Sequence, residues 1–394
     1  MKIVYVHHCG STGGAGNSLY FLLSKLVLEH EIHIITQQGE MVDKFKLLTP
    51  HVYEIRGIPV LFTAENFGYI RTIFVNLKSF FYYKEVAKVV AIISEIEPDI
   101  VHLNEIGMFS LAKKVKQKLR IPVVMHARTV PNRKYKLLLN LFTNQCNRFV
   151  DQLICITKSV AHLYPEILHK SVIYNPVQLD ENEANLISAI NYNSQVFKVL
   201  FLANFYRQKG VEETLKAIIE LRANLNIQFV IIGSNIKPQA FFKSLFGRLL
   251  NLLNVYPDYE NRMRKAIQEY ELKNVTLLGQ VRDIKSEIQN CHLLIAPMHL
   301  NGTPRSVFEA GIYGIPSILA LYHKIDDLVE HEVNGLVINE KNYKELVNGI
   351  VCLERNRAKL KAYGEAAKEK YIQICAQDLA AREMNEVYLR LLAN

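Results

Sequence analysis

The chain has 394 residues, 49% of them hydrophobic and 22% charged, and this length is sufficient for two hydrophobic cores of ordinary domain size. Its formal net charge of +9 favours anionic partners, a class that includes phosphorylated ligands, nucleic acid and acidic membrane surfaces. Six cysteines without a C-x-x-C pair, and histidines without metal-ligand spacing, argue against a disulfide framework and a zinc site and indicate a reducing, cytoplasmic compartment.

The start of the chain reads MKIVYVHH, and its apolar stretch is too short and too interrupted for a signal peptide. No later window reaches about 18 unbroken apolar residues, so the sequence predicts no membrane span. No zinc-finger pattern, RNP-like aromatic signature or long basic tail occurs, which disfavours nucleic acid among the anionic partners.

Runs of valine and isoleucine alternate with amphipathic helical stretches from one end of the chain to the other. This alternation is typical of parallel β-sheets that are covered by helices on both faces. Strands are predicted in the first half at KIVYVHH, EIHIIT, DIVHLN, PVVMHAR, QLICIT and SVIYN. In the second half they are predicted at FKVLFLAN, IQFVIIG, NVTLLG, HLLIAP, PSILA and GLVI.

A polar, asparagine-rich stretch at 178–195 has no clear period and is predicted to link two α/β domains. We expect one doubly wound domain at 1–177 and a second at 196–356, with the carboxyl ends of both sheets facing a central crevice. The helices predicted at 357–394 are long enough to pack back on the first domain.

The first strand leads into a glycine-rich loop that contains Gly10, Gly13, Gly14 and Gly16 and is followed by a helix. Open amides at a helix N-terminus can cradle a phosphate, although such a loop can also be only a tight turn. The spacing is not G-x-G-x-x-G, and no acidic residue ends EIHIIT, so a dinucleotide-dependent dehydrogenase is disfavoured.

The second domain opens in a similar way, with the basic turn RQKG after its first strand. Arg207 and Lys209 in this turn can neutralise a diphosphate, or they form a solvated basic turn without a ligand. His102 and His126 lie at the carboxyl ends of predicted parallel strands, where an imidazole can donate a hydrogen bond to a sugar hydroxyl. A structural role is the alternative for both histidines.

The stretch NGTPRSVFEAGIYGIP predicts a short helix with Thr303 as its N-cap and Pro304 as its first residue. Its apolar residues can face the sheet, which turns Glu309 toward the crevice. Two interpretations of Glu309 stay open: an ion pair with Arg305 four residues earlier, and two hydrogen bonds from a vicinal diol such as a ribose.

In their order and spacing these motifs resemble the retaining GT-B glycosyltransferases of glycosyltransferase family 4, over nearly the whole chain. The resemblance implies two Rossmann-like domains and a catalytic set of His126, Lys209, Glu309 and Asn301. It implies that His126 contacts the donor sugar, that Lys209 grips the donor diphosphate and that Glu309 binds the ribose. The residues implied for donor binding also include Gly13, Gly14, Asn204, Arg207, Gly279, Arg282, Gly302, Thr303 and Arg305.

The sequence departs from the family pattern at two positions. The first glutamate of the E-x7-E motif is Asn301, and the arginine usually found five residues before the lysine is Asn204. An asparagine can hydrogen-bond to sugar hydroxyls, but it cannot stabilise positive charge on the sugar ring as an anion would. His102, Asn104 and Arg128 are predicted to lie on the acceptor side.

The implied reaction transfers a sugar from a nucleotide diphosphate to an acceptor hydroxyl with retention of anomeric configuration. A leaving-phosphate oxygen would take the acceptor proton, so the reaction requires no prosthetic group and no metal. Three alternatives stay open: a catalytically weak homologue that binds nucleotide sugars as a partner, a sugar-nucleotide epimerase of similar fold, and a nucleic-acid binder.

Two basic, aromatic helical stretches give the sequence evidence on the kind of acceptor. In the first, a helical stripe is formed by Ile70, Ile73, Phe74, Leu77 and Phe81. The second, KPQAFFKSLFGRLLNLLNVY at 237–256, looks like an insertion relative to the family. Such helices either rest on an anionic bilayer or are core helices with solvated lysines. The first interpretation fits a lipid-linked acceptor, peripheral contact with the inner membrane face, and assembly of a bacterial surface polysaccharide or lipopolysaccharide.

Overall fold

The computed structural model describes residues 1–60, 76–77, 80–128, 136–177, 190–192, 194–235, 237–281, 283–299, 304–321 and 328–393. The chain divides into two compact units. Unit 1 comprises Met1–Leu179 and Ile374–Asn394, and unit 2 comprises Asp180–Gln373. No helix among these described stretches is both long and apolar enough to cross a membrane.

Unit 1 contains a parallel sheet of seven strands in the order β3-β2-β1-β4-β5-β6-β7. The strands are β1 Lys2–His7, β2 Glu31–Gln37, β3 Val52–Ile55, β4 Ile100–Leu103, β5 Val123–Ala127, β6 Gln152–Cys155 and β7 Lys170–Val172. All six strands predicted in this half are confirmed. The strand β3 was not predicted, because its sequence VYEI lies at the sheet edge and is only partly buried.

The helices of unit 1 cover both faces of its sheet. They are α1 Gly14–Leu26, α2 Glu40–Lys46, α3 Glu85–Ile96, α4 Phe109–Lys118, α5 Lys136–Phe149, α6 Lys158–His162 and, from the end of the chain, α15 Gln377–Leu392. One face of the sheet packs on α1 and α15, which share a buried cluster that includes Leu19, Leu23, Met384 and Tyr388. The end of the chain is therefore part of the first core.

Unit 2 contains a parallel sheet of six strands in the order β10-β9-β8-β11-β12-β13. The strands are β8 Phe197–Leu202, β9 Ile227–Ile232, β10 Val275–Gly279, β11 Leu293–Ala296, β12 Ser317–Leu321 and β13 Gly335–Asn339. All six strands predicted in this half are confirmed. Each unit thus has the doubly wound order in which the chain turns back after its third strand and crosses to the other side of the first.

The helices of unit 2 are α7 Val211–Glu220, α8 Gln239–Lys243, α9 Leu245–Leu252, α10 Tyr259–Glu269, α11 Ile284–Gln289, α12 Arg305–Ile312, α13 Tyr343–Arg355 and α14 Arg357–Ile374. A short 3-10 helix, Arg207–Lys209, precedes α7. Of the segment expected to pack on the first domain, 374–394 belongs to unit 1, whereas 357–373 belongs to unit 2. Gly311 of α12 packs so closely on the Tyr371 ring of α14 that a Cβ would collide with it.

The topology of each sheet singles out one edge for ligand binding. In unit 1 the strand order reverses between β1 and β4, and in unit 2 it reverses between β8 and β11. Loops leave the carboxyl ends of such strand pairs in opposite directions, which opens a space where α/β proteins hold ligands. The candidate ligand-binding residues therefore follow β1 and β4 in unit 1, and β8 and β11 in unit 2.

Candidate active site

A buried chain of hydrogen bonds lies at the carboxyl end of the first sheet. His102 on β4 contacts the Tyr388 hydroxyl through Nδ1 at 2.6 Å and His126 Nδ1 through Nε2 at 2.7 Å. The Tyr388 hydroxyl also contacts the Tyr5 hydroxyl. The rings of Tyr5, His102 and His126 stack across β1, β4 and β5, with centroids 4.6 and 4.8 Å apart. The last helix is thus joined to His126 through His102.

The direction of donation along this series of hydrogen bonds follows from Tyr5, the residue at its end. The Tyr5 hydroxyl has no hydrogen-bond partner other than Tyr388 among the described residues, so it must donate to Tyr388 to avoid a buried, unpaired proton. Tyr388 then donates to His102 Nδ1, and His102 Nε2–H donates to His126 Nδ1. This order leaves His126 as the Nε2–H tautomer, a hydrogen-bond donor. A reversed order would strand the Tyr5 proton.

Burial keeps every member of the chain uncharged. Desolvation, followed by the charge of Arg128, holds the pKa of His102 and of His126 well below the ordinary histidine value. Desolvation raises the pKa of both Tyr5 and Tyr388 above the ordinary tyrosine value. Each neutral imidazole or phenol has one N–H or O–H proton to donate, which is what one-directional donation along the series requires.

A second hydrogen-bonded group occupies the point where the strand order reverses. Asn104, after β4, accepts from Arg128 Nε at 2.9 Å and lies 3.0 Å from His7 Nδ1 through its amide nitrogen. Arg128 also donates to Asn175 at 2.6 Å. The arginine fixes the amide orientation, so His7 accepts at Nδ1 and carries its proton on Nε2. His7 is fully buried, and its Nε2 has no partner among the described residues.

The three residues predicted on the acceptor side are therefore engaged within the protein. Both nitrogens of His102 are hydrogen-bonded, and His102 and Asn104 are fully buried. Neither ring nitrogen of His102 is free to hold an acceptor sugar. Asn104 and Arg128 form the network beside it, and an acceptor-side role of the three residues stays a prediction.

The glycine loop after β1 ends in an open helix N-terminus. Gly13 is the N-cap of α1 in extended conformation, and no side chain caps the first turn or adds an acidic charge to it. Gly13 and Gly14 are exposed, and a Cβ at Gly13 would meet no atom within 4 Å. Gly10 instead packs against the backbone after β2, where a side chain would collide with the Gln38 carbonyl. The loop has a structural glycine at its start and an open, anion-compatible end.

Lys209 occupies the corresponding position of unit 2. It ends the 3-10 helix after β8, and Gly210 with φ of +75° connects it to α7. A Cβ at Gly210 would collide with the Pro297 carbonyl after β11, so the turn requires glycine. Burial lowers the pKa of Lys209 to about 8, and no neighbouring charge among the described residues contributes to this shift. An ammonium held in this way favours an anionic ligand that would replace its lost hydration.

A buried histidine and glutamate support this turn. His299 Nε2 lies 2.8 Å from Glu213 Oε2, and both side chains are almost fully buried. The backbone amide of His299 donates to the Gln208 carbonyl at 2.9 Å. Burial is the largest influence and opposes ionisation of Glu213, but the contact with His299, a backbone hydrogen bond and the charge of Lys216 together leave the pKa of Glu213 below its ordinary value. The segment after β11 is thereby fixed to the Lys209 turn.

Glu309 forms the predicted ion pair with Arg305. Arg305 Nε donates to Glu309 Oε1 at 2.7 Å, and the two side chains are 14% and 23% exposed. The helix begins at Arg305, one residue later than predicted, because Pro304 has an extended backbone and serves as the N-cap. A carboxylate has a second oxygen for other donors. Ribose binding by Glu309 stays a prediction.

The remaining donor-side residues fall into two groups. Asn204 is exposed after β8, Arg207 is exposed in the 3-10 helix, and Gly279 ends β10 with φ of +71° and open space around it. Four predicted residues lie outside the described part of the chain: Arg282, Asn301, Gly302 and Thr303.

One group of side chains distant from this edge has metal-ligand composition. Glu31, His33 and His51 offer ligand atoms that lie within 4.8 Å of one another near the amino end of β2. His33 already contacts Glu31 at 2.8 Å and Tyr53 at 3.2 Å, and Lys2 lies 3.9 Å from Glu31. These contacts account for the group as a hydrogen-bonded cluster at the amino end of β2, opposite the carboxyl edge of the sheet.

Several residues of the site were not found in the sequence. Tyr5, Tyr388, His7, Glu213 and His299 carry no motif, and only the fold brings them to the carboxyl edges of the sheets. The two adjacent histidines that end KIVYVHH were the one available signal. Burial and then Arg128 lower the pKa of the second, His8, to about 4.

Two family models match the chain in succession. The model described as Glycosyltransferase Family 4 matches residues 12–181, and the model described as Glycosyl transferases group 1 matches residues 183–370. Together they extend over both units and nearly the whole chain.

Curated relatives and a solved structure agree with these matches. The chain is 25% identical to the UDP-Gal:alpha-D-GlcNAc-diphosphoundecaprenol alpha-1,3-galactosyltransferase of Escherichia coli, over 64% of this chain and 65% of that relative. It is 23% identical to the N,N'-diacetylbacillosaminyl-diphospho-undecaprenol alpha-1,3-N-acetylgalactosaminyltransferase of Campylobacter jejuni, over the full length of both. The structure of Anabaena HepE in complex with UDP superposes with a TM-score of 0.73 at 19% identity, over 98% of this chain and 99% of that one.

Proposed function

Because the chain belongs to the GT-B glycosyltransferases of family 4, glycosyl transferases group 1, we propose that it transfers a sugar from a nucleotide diphosphate to an acceptor hydroxyl. The observation that carries the proposal is Lys209, a half-buried lysine at the switch point of unit 2 whose pKa is lowered by desolvation. Such a lysine is costly for the fold unless an anion compensates its charge, and a donor diphosphate supplies that anion.

The donor diphosphate is expected to contact Lys209 and the open amides at the start of α1. The α1 amides offer positive potential with little side-chain cover, and the partly buried Lys209 offers a formal positive charge. Charge that accumulates on the departing phosphate would be stabilised by the Lys209 ammonium and by the partial positive charge of the α1 amides.

His126 is proposed to donate its Nε2–H to the donor sugar. Its neutral tautomer follows from the hydrogen-bond chain through His102 and Tyr388. A neutral donor can orient a hydroxyl without adding a positive charge near a sugar ring that itself becomes positive during transfer. Glu309 is proposed to accept from the ribose with the oxygen that is not paired with Arg305.

The transfer is proposed to retain the anomeric configuration and to proceed without a metal. In this scheme the bond between the anomeric carbon and the diphosphate oxygen breaks while the acceptor oxygen bonds to the same face of the sugar. The acceptor proton passes to the departing phosphate oxygen. No protein nucleophile is required, and the protein contributes positioning and electrostatic stabilisation.

The acceptor is proposed to be a lipid-linked sugar. The names of two relatives include a diphosphoundecaprenol-linked sugar. The protein would then act at the cytoplasmic face of a membrane, in assembly of a surface polysaccharide or lipopolysaccharide. Its net charge of +9 suits an anionic bilayer surface.

Thermal denaturation with UDP, GDP and ADP tests the donor part of the proposal. One of the three nucleotides is expected to raise the melting temperature of the wild-type protein, and a Lys209→Met variant should lose that increase. Stabilisation by none of them would refute the assignment. Binding without turnover on any acceptor would identify a weak homologue that serves as a partner, and donor conversion without an acceptor would identify an epimerase.

A further inference from the structure

Helix α9 of unit 2 and its C-cap, Leu253, expose an unusual row of large apolar side chains. Leu245 is 86% exposed, Phe246 60%, Leu249 51%, Leu252 83% and Leu253 59%. Soluble proteins commonly expose single apolar residues, but they rarely expose a contiguous patch of large ones. We refer to these five residues as the α9 face.

The α9 face is one side of a helix. At 100° per residue its five members fall within an arc of about 120°, which is the width of the apolar stripe on an amphipathic helix. In a helix of a globular core that stripe would be buried. Here it is exposed, so the alternative of an ordinary core helix does not describe this segment.

Contacts within the segment and with neighbouring residues of unit 2 fix the conformation of α9. The preceding short helix inserts Phe242 into the core, and Gly247 packs so closely that a Cβ would collide with the Phe241 carbonyl. Ser244 caps α9 by accepting from the Gly247 amide at 3.0 Å. Asn251 accepts from the Asp258 amide at 3.0 Å. The α9 face is therefore presented by a fixed scaffold.

The charged side chains of the segment 237–257, which carries the α9 face, are all basic. Lys243 and Arg248 are exposed beside it, and Lys237 lies 5.5 and 5.3 Å from the ring centroids of Phe241 and Tyr256. No aspartate or glutamate occurs between Lys237 and Pro257. An apolar stripe flanked by basic side chains without acidic ones complements an anionic lipid surface.

We propose that the α9 face docks on an anionic lipid bilayer, with Leu245, Phe246, Leu249, Leu252 and Leu253 among the acyl chains and Lys243 and Arg248 at the lipid headgroups. The proposal rests in part on the proposed function, because a lipid-linked acceptor stays in the bilayer and the enzyme must come to it. The helix lies in the plane of the interface and does not cross the membrane.

The absence of tryptophan from the chain provides a direct test. A Phe246→Trp variant carries a single tryptophan on the α9 face, and a Tyr270→Trp variant carries one on a partly exposed site elsewhere in unit 2. With vesicles of phosphatidylcholine and phosphatidylglycerol, emission from the first variant should shift to shorter wavelength while that from the second stays unchanged. Equal responses, or no response, would overturn the proposal.

Vesicle co-sedimentation of the full-length protein gives a second test with a matched control. The triple variant Leu245→Ser, Leu249→Ser and Leu252→Ser should bind anionic vesicles at least about tenfold more weakly than wild type. The control triple variant Leu28→Ser, Leu168→Ser and Leu225→Ser removes three leucines of similar exposure from other surfaces and should bind normally. Equal binding by the two would refute the α9 face as the docking site.

Two further measurements separate the competing explanations. Gel filtration with light scattering in the absence of vesicles reports self-association; a wild-type dimer that the α9 triple variant dissociates, without vesicle binding, would mean that a second copy covers the face. Activity is compared on a water-soluble, short-chain acceptor and on the same acceptor in vesicles. The α9 triple variant should lose only the vesicle reaction. Vesicle binding by a wild type inactive on both acceptors would refute the proposed function and support the docking surface.

Discussion

Replacement of Tyr388 by phenylalanine tests whether the last helix determines the protonation of His126. The hydroxyl of Tyr388 is fully buried and connects the Tyr5 hydroxyl to His102 Nδ1. The Tyr388→Phe change removes that oxygen and keeps the ring. Tyr5 then has no acceptor, and His102 Nδ1 has no donor.

The magnitude follows from these two buried groups. A buried polar group without a partner costs about 1–3 kcal/mol, so the loss of partners for two groups should lower the free energy of unfolding by about 2–6 kcal/mol. For a unit of this size, where 1 kcal/mol corresponds to about 2–4 °C, the melting temperature should fall by at least about 5 °C. His102 also loses the bond that favours its Nε2–H tautomer, so His126 no longer has a fixed donor, and we expect kcat to fall about tenfold.

The matched control is Tyr5→Phe, which makes the same chemical change at the closed end of the chain. Tyr388 loses a donor there but still donates to His102, so stability should fall while kcat stays close to wild type. Nitrogen chemical shifts of the histidines report the tautomer directly. His126 should be the Nε2–H form in wild type and in Tyr5→Phe, and a mixture in Tyr388→Phe. An equal loss of kcat in the two variants would refute the assigned polarity.

Three other predictions concern the donor site. Affinity for a nucleoside diphosphate should fall about tenfold between pH 7 and pH 9, because Lys209, with a pKa of about 8, loses its proton in the free protein. In calorimetry, Lys209→Met should bind the nucleotide weakly and without this pH dependence. Glu309→Ala should raise KM for the donor more than Arg305→Ala does, with both variants folded by circular dichroism; equal effects would mean that the ion pair is the only role of Glu309. Asn301→Glu should change the preference among donor sugars in a competition assay, and an unchanged profile would show that Asn301 does not contact the sugar.

Local pattern predicted the two sheets because buried parallel strands are short apolar runs that differ sharply from the helices between them. It missed β3, whose residues are only partly buried at the sheet edge. The pattern also predicted that His102 and His126 lie at the same carboxyl edge of the sheet, since both lie near the ends of adjacent strands. The partner of His102 could not be found in this way, because Tyr388 lies 286 positions further along the chain in a helix without a motif.

The α9 face illustrates a different limit of sequence analysis. A 3.6-residue period of leucines indicates an amphipathic helix, but the period is the same whether its apolar side faces a core or the surface. Only the exposed fractions of Leu245 and Leu252 distinguish the two. The N-terminal stretch with a similar pattern begins outside the described residues, although its described members Leu77 and Phe81 are also exposed.

Transfer to a defined lipid-linked acceptor tests the central claim most directly. The purified protein is incubated with a UDP-, GDP- or ADP-sugar and a short-chain polyprenyl diphosphate sugar, and the anomeric configuration of the product is determined by NMR. We predict a glycosidic product with the configuration of the donor, abolished by Lys209→Met. An inverted product would contradict the retaining mechanism, and the absence of any product with a nucleotide that stabilises the protein would contradict the assignment as an active transferase.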